Sequence, residues 1–179
     1  MRMMSLIFML ATPAVAEICP AAPDHAAAQG RIIADLGTAR TATEAAILTQ
    51  GLWRLWTDAP DATAKAMLDA GMALLQGGRP AIAVARFDAL VAYCPDYAEG
   101  YNQRAFAFYL QRDFAAALVD LDAALAINPR HVAALSGKAL TLMGLGRDAE
   151  AQTVLRAALA LNPWLEERAL LVTPPGVEL

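Results

Sequence analysis

Residues 98–131 read AEGYNQRAFAFYLQRDFAAALVDLDAALAINPRH, and the same pattern stands on either side of them at a fixed period. Pro95, Pro129 and Pro163 are each 34 residues apart. If each proline falls two residues before the end of a unit, the units run 64–97, 98–131 and 132–165. Other columns then align. The eighth position holds Gly71, Ala105 and Ala139, and the twentieth Ala83, Ala117 and Ala151, all small. The fourth holds Met67, Tyr101 and Leu135, the eleventh Leu74, Phe108 and Leu142, and the twenty-fourth Phe87, Leu121 and Leu155, all large and apolar. Two antiparallel helices need this arrangement: small residues where the axes approach and bulky ones on either side. Gly77-Gly78 with Pro80, Arg112-Asp113 and Gly146-Arg147-Asp148 mark the turn inside each unit. Phe114, Leu118, Leu121 and Leu125 show the helical spacing of a second helix.

These columns resemble the tetratricopeptide repeat, a helix-turn-helix unit of the same period. Tyr101-Asn102-Gln103-Arg104-Ala105 and Ala124-Leu125-Ala126-Ile127-Asn128-Pro129 carry the likeness most clearly, while Leu90 departs from it at the usually small twenty-seventh position. The resemblance implies an all-α, right-handed solenoid of antiparallel helix pairs. Residues 17–63 read as a tail and a degenerate first pair, with helices over 24–37 and 43–58 and with Pro60 standing 35 residues before Pro95. Residues 166–179 read as a terminal cap and tail, on a short helix over 164–171. Trp53 and Trp56, at i and i+3, share a helix face that either seals one end of the stack or offers a ligand platform.

Residues 1–16 have the form of a secretory signal: Arg2, the apolar run from Met3 to Leu10, then Ala14-Val15-Ala16 before a mature start at Glu17. That run is too short to span a bilayer, which takes about 20 apolar residues. A periplasmic or secreted location follows, without a transmembrane anchor. Such a compartment favours pairing of Cys19 with Cys94, the two cysteines of the chain, although two unpaired thiols, with Cys94 buried, would also fit.

The 58% hydrophobic content rests largely on 42 alanines, which favour helix and close packing over a greasy surface. A net charge of -4, with no blocks of one sign, gives no footprint for nucleic acid. No catalytic set emerges. His25 and His131 lack metal-ligand or nucleophile spacing, and Ser136, the only serine outside the signal, has no evident base. No cofactor or metal is expected, and an enzyme stands last among the readings.

In proteins of the resembled family, the first helices of successive units line a concave face that meets the ligand. The matching positions point to Leu68, Met72, Leu75, Glu99, Asn102, Gln103, Phe106, Tyr109, Leu140 and Met143 as a partner-binding groove. Such a face suits a peptide or helix docked by apolar anchors, with Asn102 and Gln103 bonding its backbone. Tighter coiling of a short stack could instead bury Met72, Phe106 and Tyr109. Family members that grip a C-terminal carboxylate use Lys, Asn and Arg where this chain has Leu68, Met72, Gln103, Ala133 and Gly137, so that clamp is absent apart from Gln103, which could mimic its middle amide. Arg104 and Asp120 lie equally far from the turn near Arg112, which sets them side by side, and Lys138 takes Arg104's position one unit on. Asp120 is therefore expected to bridge both cations as a structural ion pair. The function implied is a non-catalytic scaffold for a protein or peptide partner. A structural subunit of a larger envelope complex or of a homo-oligomer is the alternative.

Overall fold

In the computed structural model, which describes residues 18–172, three residues in the left-handed region recur at the repeat period: Gly78 (φ 67°), Arg112 (φ 62°) and Gly146 (φ 72°). Each closes the first helix of a pair. The next amide in each case, that of Arg79, Asp113 or Arg147, reaches back 2.9 to 3.0 Å to the carbonyl of Leu74, Phe108 or Leu142. These bonds satisfy carbonyls that a helix end would otherwise leave open. The signal proposed at 1–16 lies outside the described residues.

Eight α-helices are present among the described residues: α1 (Ala26–Thr38), α2 (Ala42–Trp56), α3 (Ala62–Gln76), α4 (Pro80–Tyr93), α5 (Ala98–Leu110), α6 (Phe114–Ile127), α7 (Val132–Gly144) and α8 (Asp148–Leu161). Side chains start several of them. Thr41 accepts from the amide of Glu44, Asp61 from Ala64, Asp113 from Ala116 and His131 from Ala134. Each occupies one of the donors that a helix N-terminus leaves free.

Helices α3 to α8 form three successive antiparallel pairs, each packed on the next. The small eighth position and the bulky twenty-fourth are matched in volume. In the first pair Gly71 faces Phe87, and a Cβ on Gly71 would fall 2.4 Å from that ring. In the next two pairs alanine stands where leucine replaces the phenylalanine. All six residues are buried, as interior close packing requires.

The N-terminal pair, α1 and α2, departs from the expected stacking. Helices α1 and α2 pack on each other, but α1 turns to α8, and their apolar set of Ile33, Leu36, Leu52 and Trp56 closes on Val132, Trp164 and Leu165. The hairpin thus lies along the turns between repeats and does not extend the stack in front of α3. Contacts made once hold it there: Gln29 bonds Asn128 and the Arg130 carbonyl, and Trp56 stacks on His131. The far end also differs from expectation. A single 3₁₀ turn, Glu166–Leu170, with no buried residue, replaces the terminal helix, so Trp164 and Leu165 make the apolar contacts there.

Cys19 and Cys94 are joined in a disulfide, which ties the segment before α1 to the end of α4. No helix among the described residues is long and apolar enough to cross a membrane.

Candidate partner-binding groove

Helices α5 and α7 contact each other, and both contribute first-helix positions to one cavity. Five of the residues expected there, Asn102, Gln103, Phe106, Tyr109 and Leu140, do come together around a cavity of about 270 Å³. Phe106 is 48% exposed at its mouth, with Tyr109 and Leu140 half-buried. The other five lie elsewhere. Leu68 is part of the first repeat's core, Met72 and Leu75 pack against that core, Met143 is half-buried outside the cavity wall, and Glu99 is buried behind it. Leu68 is buried within its own repeat and Glu99 under Asn102, Gln103 and His131, contacts that a repeat pattern does not reveal.

Two further walls stand outside the repeat positions named for the groove. Trp53 of α2, 38% exposed, lines the same cavity, so the hairpin contributes directly to the groove. Its neighbour Trp56 points the other way and stacks on His131, ring centroids 4.1 Å apart. The i, i+3 spacing was visible, but the two rings serve different ends. Thr141 is the second addition. It lines the cavity from α7, and its buried hydroxyl has no hydrogen-bond partner. No Lys, Arg, His, Asp or Glu side chain lines this cavity among the described residues.

Beneath the amides lies a buried polar cluster. Glu99, 1% exposed, accepts from Gln103 Nε2 at 2.6 Å and from Asn102 Nδ2 at 3.2 Å, and its Oε2 lies 2.9 Å from His131 Nε2. His131 Nδ1 accepts from the Ala134 amide, so its ring proton sits on Nε2 and is donated to Glu99. A buried carboxyl group with three donors is satisfied where a lone one would be costly. The same cluster anchors the hairpin. Gln29 donates to Asn128 and to the Arg130 carbonyl and accepts from the Trp56 indole, while Tyr97 donates to the Trp56 carbonyl at 2.7 Å. Burial first, and Glu99 second, push the Tyr97 phenol far above its ordinary value, so it remains a donor.

A second cavity, of about 440 Å³, opens beside this anchor and is lined by His25, Asp58, Trp56 and His131 among others. His25 Nε2 lies 2.8 Å from Asp58 at its rim.

The predicted ion pair is half right. Arg104 meets Asp120 through Nε and Nη2, both at 2.7 Å, as the register requires. Lys138, however, pairs with Asp122 and not with Asp120. Arg104 makes the equivalent contact one repeat earlier, to Asp88 at 2.7 Å. The carboxylates that bridge repeats thus occupy the twenty-fifth position, and Asp120 at the twenty-third serves its own pair alone. The hydrogen bonds from Asp120, above all, raise the Arg104 guanidinium beyond its usual range. Ser136 is buried, with no hydrogen-bond partner for its hydroxyl among the described residues.

Comparison with known proteins agrees with this architecture. Residues 108–167 match the family model described as tetratricopeptide repeat. A TPR repeat-containing protein of Rhizobium etli is 31% identical over 119 residues, 66% of this chain and 53% of the relative, so the chain spans about half the length of that protein. Among solved structures, the Arabidopsis OM64 TPR domain is similar with a TM-score of 0.58 and 26% identity, over 60% of this chain and 88% of the other. The first TPR of Spaghetti (RPAP3), bound to an HSP90 peptide, is similar with a TM-score of 0.58 and 22% identity, over 60% and 85%. MamA AMB-1 is similar with a TM-score of 0.52 and 20% identity, over 76% and 92%. The fold is accordingly a tetratricopeptide-repeat solenoid, and the sequence likenesses support the tetratricopeptide repeat as the family of its stacked helix pairs.

Proposed function

We propose that this chain is an exported, non-catalytic interaction scaffold that holds a protein partner in the cavity floored by α5 and α7 and walled by α2. The observation that carries the reading is an uncharged, aromatic-lined cavity between α5, α7 and α2, open at Phe106 and Trp53. Apolar pockets with a few fixed polar groups are the usual form of a recognition site. A solved neighbour of this fold is bound to an HSP90 peptide, which supports peptide binding as the mode. The chemistry differs in kind here: a cavity without cationic lining does not suit an acidic tail. Export rests on residues 1–16, and the Cys19–Cys94 disulfide accords with an oxidising compartment.

The test is a photo-crosslinking residue at position 106 of the protein expressed with its N-terminal segment in a Gram-negative host. Recovery of one protein adduct, lost in competition with an excess of uncrosslinked protein, is the expected result. Light labelling only of a second copy of this chain would favour the homo-oligomer instead. Mass analysis of the exported protein should give a start at Glu17; retention of Met1 in the cytoplasm would refute export.

A further inference from the structure

The buried acid beneath the groove determines which ends of the two amides a partner meets. All three of Glu99's contacts are donations to it, from Asn102, Gln103 and His131. An amide has a donor end and an acceptor end, and fixing one fixes the other. With both NH₂ groups held by Glu99, Asn102 and Gln103 turn their oxygens away from it, and both residues line the cavity. Neither oxygen accepts a hydrogen bond within the described protein. The cavity therefore combines apolar and aromatic walls with the amide acceptors of Asn102 and Gln103, beside the hydroxyls of Tyr109 and Thr141, and its lining has no charge to offer an ionic group.

We infer that the cavity, if it is the partner site proposed above, takes an aromatic side chain with a hydrogen-bond donor on its edge, the indole of a partner's tryptophan. Indole matches on each count: an apolar plane for Phe106, Tyr109 and Trp53, and a single polar atom that only donates. A partner backbone carbonyl would find no donor in Asn102 or Gln103, whose NH₂ groups Glu99 holds. This reverses the role expected for Asn102 and Gln103 as donors to a peptide. Glu99 acts as a positioning residue, setting the polarity of the site without touching its occupant.

The experiment compares N-acetyl-tryptophanamide with its 1-methylindole analogue, which has the same ring and no N–H, by NMR titration of the full mature chain. The expected result is binding of the parent with shifts at Phe106 and Gln103, about tenfold or more weaker binding of the methylated compound, and loss of both in Phe106→Ala. Because Phe106 is surface-lying, that variant keeps the fold, and the titrated spectrum itself reports this. Equal binding of the two compounds overturns the acceptor floor while leaving an aromatic groove intact. Binding of neither overturns the inference, and the crosslink from position 106 then decides the groove reading separately.

Discussion

The carboxylate of Asp88 lies 2.7 Å from the guanidinium of Arg104, one repeat later, and Asp122 stands in the same relation to Lys138 at 2.6 Å. Both pairs span sixteen positions and join the second helix of one repeat to the first helix of the next. The same guanidinium also holds Asp120, which is 4% exposed. Burial decides which contact matters. Asp88 is more than half exposed, so Asp88→Ala should cost under about 1 kcal/mol. Asp120→Ala leaves a half-covered cation short of its bidentate partner and should cost about 2 kcal/mol, less than for a fully buried pair because Asp88 remains. Urea unfolding of both variants measures this, and equal losses would contradict it.

Gly71 is predicted to resist even one added methyl group. Alanine gains about 1 kcal/mol of helix propensity over glycine, but its Cβ would lie 2.4 Å from the Phe87 ring. Overpacking costs about 1 to 3 kcal/mol, so Gly71→Ala should be destabilising on balance. Adding Phe87→Leu recreates the alanine-leucine match of the next two repeats and should recover part of the loss. Thermal unfolding of the single and double variants checks it; additivity of the two changes would refute the steric account.

The same columns show what could be read beforehand. Gly71 with Phe87, Ala105 with Leu121 and Ala139 with Leu155 were legible because a repeated contact leaves a repeated residue. The placement of α1 and α2 was not. It depends on contacts made once, such as Gln29 with Asn128, 99 positions apart, and Trp56 on His131. Nothing periodic announces them. Half of the groove was legible for a related reason: position names a face, but burial of Glu99 and exposure of Phe106 depend on how tightly three repeats coil and on a hairpin that supplies Trp53.

Trp56→Ala should release that hairpin selectively. The substitution removes the stack on His131 and the indole bond to Gln29 while leaving α3 to α8 with their own core. Hydrogen exchange in α1 and α2 should accelerate at least tenfold, with little change in α5 and α6. Uniform acceleration across the chain would mean that the hairpin and the repeats unfold as one unit.

Reduction of Cys19–Cys94 should lower stability by up to about 4 to 5 kcal/mol, the chain-entropy limit for a loop of 75 residues. Cys19→Ala and Cys94→Ala should not behave alike. Cys94 is 2% exposed in the first repeat's core, whereas Cys19 only borders it, so the Cys94 variant loses packing as well. Denaturation with and without reductant measures the common part, and identical midpoints in all three forms would exclude a stabilising staple.

Asp61 gives the pH dependence. Its carboxylate accepts from the Ala64 amide, the larger effect, and from the Tyr93 hydroxyl at 2.7 Å, and both hold it below its ordinary value. A carboxyl group lowered in the folded state adds stability that is fully present above its unfolded value, about 4, and is lost as pH falls through the folded value. Asn at this position can still accept from Ala64 but does not titrate. The stability difference between the native chain and Asp61→Asn should therefore be constant from pH 7 to about 5 and shrink below about 4. Glu150, lowered by its bonds from Arg147, contributes with the same sign, so the comparison must be made against the variant and not against pH alone. Urea midpoints at pH 7, 5 and 3 provide the measurement. A gap that stays unchanged down to pH 3 would show that Asp61 caps α3 without its charge contributing.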